Sequence, residues 1–258
     1  MVRTVVGAVV AGLIAVGARR TRSLDTSGAI AGFVSGTAAV AGGWSWAALL
    51  LSLFVTASAL SRLGARKKEA LLVPIVEKSS ERDAWQVLAN GGVFSAAALG
   101  YALHPASFWY ALGVGALAAS TADTWATEVG TLSSSEPVSI ISGRKVSAGT
   151  SGGITVLGSL AGITGALFIA AVATLARWPV AFAAAALGGI TGALADSILG
   201  ATVQSRRWCD RCDIATERRV HSCNTPTRHA GGIRGLNNDA VNAVCSCIGA
   251  LVALLVAQ

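Results

Sequence analysis

An all-α fold, a polytopic membrane helix bundle of about eight transmembrane helices, is the class this sequence predicts, and three observations predict it. Of 258 residues, 53% are hydrophobic and only 13% are charged, against roughly a quarter charged in a soluble domain. The apolar residues fall in runs near the length that crosses a bilayer core, about 20 residues per helix. Between the runs the charges are bunched, so the long uncharged stretches require lipid or protein around them.

The runs lie near 2–18, 27–43, 44–61, 84–103, 107–129, 149–175, 179–203 and 238–257. The first is short and resembles a signal peptide, but Arg19, Arg20 and Arg22 follow it at once. Positive charge there resists export, so it reads as a membrane helix. The second is rich in glycine: Gly28, Gly32 and Gly36 recur every fourth residue, as do Gly188, Gly192 and Gly200 with Asp196 at the missing step. Such spacing lets helix backbones approach closely.

Alternating the connections puts 19–26, 62–83, 130–148 and 204–237 on one side and only tight turns on the other. The long-connection side holds 18 of the 20 Lys and Arg residues, leaving Arg3 and Arg177 opposite. By the positive-inside rule that side is cytoplasmic. The chain reads as one membrane domain over 1–258, with a cytoplasmic Cys/His loop at about 204–237, in a prokaryotic plasma membrane. The net charge of +7 belongs to a membrane surface, because no aromatic or lysine-rich stripe accompanies it as nucleic-acid binding would need.

The chemically useful side chains gather at the cytoplasmic level. In ASTADTWATEVG, the residues Ser120, Asp123, Thr124, Thr127 and Thr131 form a polar stripe at helical spacing, with Glu128 beside it. Asp123 lies roughly 10 Å inside its helix end and Asp196 at a similar depth, so two carboxylates are expected to meet in one pocket. A charge inside a membrane helix costs a few kcal/mol and usually faces a partner in the protein interior. Asn90, Asn237, Asn238, Asp239 and Asn242 bring further oxygens to that level, and such oxygens suit Mg²⁺. The same side supplies Arg62, Lys67, Lys68, Arg144, Lys145 and Arg234. Arg144, Lys145 and Arg234 adjoin glycine-rich helix starts, where backbone N–H groups favour phosphate. Lys67, Arg206 and Arg207 read as topology signals. Acids for metal with cations for phosphate point to phosphoryl chemistry, although no P-loop or kinase signature is present.

Cys209-x-x-Cys212 and His221-x-Cys223 place four zinc ligands within fifteen residues, a spacing that forms a tetrahedral knuckle. In a reducing compartment a metal or free thiols are expected there rather than disulfides.

The order of motifs, SGA, LSRLG, QVLANGG, ADTWATEVG, GTSGGIT, ADSILGATVQ and NNDAVN, resembles the integral membrane family that includes phytyl-phosphate kinase of tocopherol biosynthesis. The resemblance covers almost the whole chain. It implies phosphorylation of an isoprenyl monophosphate to the diphosphate, of phytyl or geranylgeranyl type, with a nucleoside triphosphate, CTP, as donor. The family's acids fall on Asp123, Glu128 and Asp196, and its asparagines on Asn90, Asn237, Asn238 and Asn242. Ser151, Gly152 and Gly153 lie in its GTSGGIT block. Two other readings use the same residues: a transporter or flippase, and a CTP-dependent lipid nucleotidyltransferase or alcohol kinase. A transporter tends to hold its site near the bilayer midplane with access from both sides, whereas these acids lie toward one face.

Overall fold

The computed structural model describes residues 2–78 and 81–258. Among them the chain forms nine α-helices: α1 Val2–Arg20, α2 Thr26–Gly42, α3 Trp44–Arg62, α4 Ala65–Leu72, α5 Ala84–Leu103, α6 Phe108–Gly130, α7 Val156–Leu175, α8 Phe182–Thr202 and α9 Asn238–Val256. Five short strands interrupt the connections: β1 Val138–Ser139, β2 Gly153–Ile154, β3 Arg206–Cys209, β4 Ile214–Thr216 and β5 Arg228–Gly231.

The helix bundle is as expected, but the count of membrane spans is not. Five of the described helices, α1, α3, α7, α8 and α9, are long and apolar enough to cross a membrane, so the expectation of about eight is corrected to five. Helix α2 has 17 residues, about 25 Å, which falls short of a core of about 30 Å. Helix α5 carries Gln86 and Asn90, and α6 carries Asp123, Thr124, Thr127 and Glu128. Helix α6 needs little apolar surface because α5, α7, α8 and α9 pack around it, and all but one of residues 111–122 are buried. A helix surrounded by protein can be polar where a lipid-facing one cannot.

Small residues set how closely these helices approach. A side chain at Gly192 on α8 would run into Ala119 of α6, and one at Gly28 on α2 into the carbonyl of Arg82. Serines tie the polar middle: Ser120 Oγ lies 2.9 Å from Ser246 Oγ, which also donates to the Ala89 carbonyl at 3.0 Å. The end with tight turns is filled by rings. Trp46 lies 4.5 Å from Trp178, 5.2 Å from Phe94 and 5.4 Å from Tyr110, centroid to centroid, and Tyr101 stands 4.7 Å from Tyr110.

The other end gathers the long connections. Asp25 caps α2 by accepting from the Gly28 N–H at 2.7 Å, and Asp83 caps α5 in a reciprocal box with Gln86. Helix α7 begins at Val156, capped by Thr155, rather than near 149, because 149–155 is spent on a turn and on β2, which pairs antiparallel with β1. In that turn Gly152 has φ +76° and packs against Ala201 and the Ser197 carbonyl of α8, a conformation and a closeness that only glycine tolerates. The connection after α8 is not an open loop. It folds into a three-stranded antiparallel sheet in the order β4-β3-β5, fastened to the segment after α4 by Thr216 Oγ1 donating to the Pro74 and Ile75 carbonyls at 3.0 Å.

Candidate functional site

A cavity of about 1370 Å³ opens among these connections. Asp123 of α6 and Asp196 of α8 stand together on its wall, their carboxyl groups within hydrogen-bonding reach of one another. Asn242 of α9, turned so that both its amide atoms are satisfied, donates to Asp196 Oδ1 at 2.9 Å and to the Asn238 carbonyl at 3.1 Å. Cys245, one turn further along α9, also approaches Asp196. Among the described residues no Lys or Arg pairs with either aspartate. Two carboxyl groups this close hold either a shared proton or a cation between them.

Glu128, expected beside these acids, belongs to another cluster. Its Oε2 accepts from Lys68 Nζ at 2.6 Å, Ser61 donates to its Oε1, and the Arg82 guanidinium stands 4.0 Å away. With side-chain exposures of 7% and 21%, this Lys68–Glu128 pair is largely buried. Glu128 already has its cation, which corrects its expected place as a third metal ligand. Lys68 is expected among the cations of this side, but its pairing with Glu128 is not; it is placed by the short α4 helix that follows a glycine at φ +66°, Gly64.

The expected phosphate-gripping cations also fall elsewhere. Arg144 and Arg234 are exposed and do not line the cavity, and Lys145 reaches out to Glu136 at 2.6 Å, both side chains exposed. Arg62 donates to Ser23 Oγ at 3.0 Å, away from the cavity. The cavity's own cations are Lys67, Lys68, Lys78, Arg82, Arg207, Arg218 and Arg219, so Lys67 and Arg207 are more than topology signals. Lys78 bridges Asp83, at 2.7 Å, and Asp239. Burial opposes its charge, but those two bonds outweigh it and hold its pKa above the usual lysine value.

Of the expected asparagines, Asn242 alone touches the acid pair. Asn237 caps α9 through the Ala240 N–H at 3.0 Å, and Asn238 is exposed at the cavity rim. Asn90 donates to the Gln86 carbonyl at 3.0 Å and faces a different cavity. Ser151, Gly152 and Gly153 line the main cavity as expected. Ser151 Oγ donates to Glu217 Oε1 at 2.8 Å, and Gln204 Nε2 donates to the same oxygen at 2.7 Å. Burial pushes the Glu217 carboxyl above its ordinary range and nearby Glu77 adds to this, while the bonds from Ser151 and Gln204 oppose it.

On the sheet, Cys209, Cys212, His221 and Cys223 bring their ligand atoms within 4.8 Å of one another. The 3.6 Å between Cys209 Sγ and Cys223 Sγ matches the roughly 3.8 Å edge of a tetrahedron with metal–sulfur bonds of about 2.3 Å. Thr225 and His221 bond the Cys223 sulfur and pull its pKa down to about 5, whereas the neighbouring Cys223 pushes Cys212 up to about 11. The four side chains form a group able to coordinate a metal ion.

These features define a polytopic integral membrane protein with an acid pair at one end of its bundle and, beside it, a sheet whose Cys and His side chains could coordinate a metal ion. The chain belongs to the integral membrane protein family DUF92, whose profile matches residues 9–250. Protein PGR of Arabidopsis thaliana is 32% identical, over 94% of this chain and 92% of the relative. An uncharacterized membrane protein of Methanocaldococcus jannaschii is 29% identical, over 99% and 95%. Another, of Synechocystis sp., is 30% identical over 64% of this chain and 65% of its own. The relatives thus span plant, archaeal and cyanobacterial sources. No solved structure matches the chain.

Proposed function

We propose that this protein is an Mg²⁺-dependent kinase that phosphorylates an isoprenyl monophosphate, of phytyl or geranylgeranyl type, to the diphosphate at the cytoplasmic membrane face, with CTP as donor. The observation that carries the reading is the Asp123–Asp196 pair, to which no Lys or Arg is bonded among the described residues, on the wall of a large cavity lined, among those residues, by seven basic side chains. The donor set fits Mg²⁺: two carboxylates, one of them held in place by the Asn242 amide, and room for water and phosphate oxygens. Bound there, the ion would neutralise charge on the donor's phosphates. The choice of substrate and of CTP rests on the motif resemblance.

The chain's own part is positioning and charge. An acceptor phosphate is already an anionic nucleophile near neutral pH, so no general base is required. Its oxygen bonds to the donor's γ-phosphorus, the bond from that phosphorus to the β-bridging oxygen breaks, and the nucleoside diphosphate leaves. Lys67, Arg207, Arg218 and Arg219 reduce the repulsion between the two anions as they approach. The Cys209, Cys212, His221 and Cys223 group is assigned a structural zinc that braces the sheet carrying Arg207 and the segment after β4 that carries Arg218.

Purified protein incubated with geranylgeranyl or phytyl monophosphate, Mg²⁺ and each nucleoside triphosphate in turn should form diphosphate, fastest with CTP. Release of pyrophosphate with a CDP-linked lipid would make it a nucleotidyltransferase instead, and no turnover with any donor would overturn the reading. Metal analysis of protein never exposed to chelator should find about one zinc per chain, lost in the Cys209→Ser, Cys212→Ser double variant.

A further inference from the structure

A second cavity, of about 360 Å³, lies between α1 and α3 over a floor of α2 and α5, within the size range of small-molecule sites. Its walls are apolar along α1 from Gly7 to Ala18, a length of about 16 Å. Val10, Ile14, Trp44 and Leu51 line it while remaining exposed. With α1 and α3 both long and apolar enough to cross a membrane, its open side would face the hydrocarbon of a bilayer that they span.

One end of this groove is polar. Arg82 and Gln86 line it and also line the main cavity, so the two spaces meet at these side chains. Asn90 and Thr124 stand at the same end, and Thr124 adjoins Asp123 on α6. Two buried polar atoms of the lining, Asn90 Oδ1 and Ser35 Oγ, have no hydrogen-bond partner among the described residues; Ser35 is 3% exposed. Such groups cost free energy when left unsatisfied, and ordered water commonly completes their shell. What points to a lipid tail is instead the apolar walls, with Arg82 at the polar end.

We infer that this groove holds the hydrocarbon chain of a single-chain lipid phosphate, its phosphate at Arg82 and its tail running up between α1 and α3 toward Gly7. The inference rests on the proposed reaction for the identity of the head group, and it assigns the tail a place. It also explains why a largely buried guanidinium, 4.0 Å from Glu128, stands where an apolar groove meets a polar chamber: an anionic head must turn from lipid into the cavity at that corner. Arg82 is held for that turn by donating to Ser61 Oγ at 2.8 Å and to the Ala57 carbonyl at 3.3 Å.

The test uses a benzophenone-bearing geranylgeranyl monophosphate, photo-crosslinked to full-length protein in detergent and mapped by peptide. Labelling should fall on α1 and α3, be competed by plain geranylgeranyl monophosphate, and be unaffected by inorganic phosphate. Ser35→Leu, which fills the groove, should cut labelling at least tenfold without lowering the melting temperature. Gly91→Leu is the second filling variant, since a Cβ there meets nothing closer than Leu50 Cδ1 at 3.6 Å. Labelling on α7 and α8, where Ile163 and Leu194 give the main cavity its own apolar side, would overturn the inference. So would labelling that survives both variants, or equal competition by two-chain phosphatidic acid. Labelling on α1 and α3 without any diphosphate formed would leave the groove standing and remove the kinase reading. Diphosphate formed with no labelling there would do the reverse.

Discussion

Asp123 and Glu128 sit five residues apart on α6, yet they are acids of opposite kinds. Glu128 is surrounded by its own countercharge, with Lys68 bonded to it, Ser61 donating and Arg82 near. Asp123 meets another acid, Asp196, and an amide stands behind that one. An acid whose charge the fold already balances is part of the framework. An acid pair whose charge the fold leaves to something else is where chemistry belongs.

The comparison predicts different failures when each acid is neutralised. Asp123→Asn and Asp196→Asn are nearly isosteric and keep a hydrogen bond to the partner acid, so the protein should insert and melt normally while turnover in the proposed reaction falls by about a thousandfold, some 4 kcal/mol. Near wild-type turnover at limiting Mg²⁺ in both variants would erase the distinction between the two acids. Glu128→Gln should do the opposite. It strands a buried Lys68 and should cost about 3 kcal/mol of stability, read as a lowered melting temperature, while folded protein still turns over. Replacing both partners, Lys68→Met with Glu128→Leu, should recover most of that loss.

Glu217 sharpens the contrast through pH. Its folded pKa lies above its ordinary value, so its favourable contribution is complete below the normal carboxylate range and is lost as pH rises through the raised folded value. Glu217→Gln, which cannot ionise, should be relatively more stable than the parent at neutral pH and should show a flatter stability profile across that window. A parallel profile for both proteins would mean that Ser151 and Gln204 offset the burial completely. The smallest effects belong to the exposed cations. Arg144→Ala and Arg234→Ala should stay within about 0.5 kcal/mol of the parent in stability and within about twofold in turnover, because neither side chain lines the cavity.

Much of the site was legible because helix geometry carries information about depth. A rise of 1.5 Å per residue set Asp123 and Asp196 at one level, and the structure joins them. The gathering of the long connections at one end followed from the bunched charges in the same way. The number of spans was not legible from run length, because a run such as Phe108–Gly130 looks alike whether lipid or other helices surround it. Nor were the cavity's cations: Lys68 and Arg82 reach the site through folds of the connection 62–83 that no periodicity announces, while Arg144 and Lys145, beside a glycine-rich turn, point away from it. The Cys and His spacing was legible as a ligand set. The sheet that presents it was not, because its strands are three or four residues long.

The ring cluster of Trp46, Phe94, Tyr101, Tyr110 and Trp178 has a consequence for traffic. It fills the end of the bundle opposite the acids, which leaves the mouth between the connections as the way in for any water-soluble ligand of the cavity. Under the proposed reaction the incoming triphosphate and the outgoing diphosphate share that doorway. The spent nucleotide should therefore inhibit competitively against the donor, and a cell's ratio of the two would throttle the enzyme with no separate regulatory site.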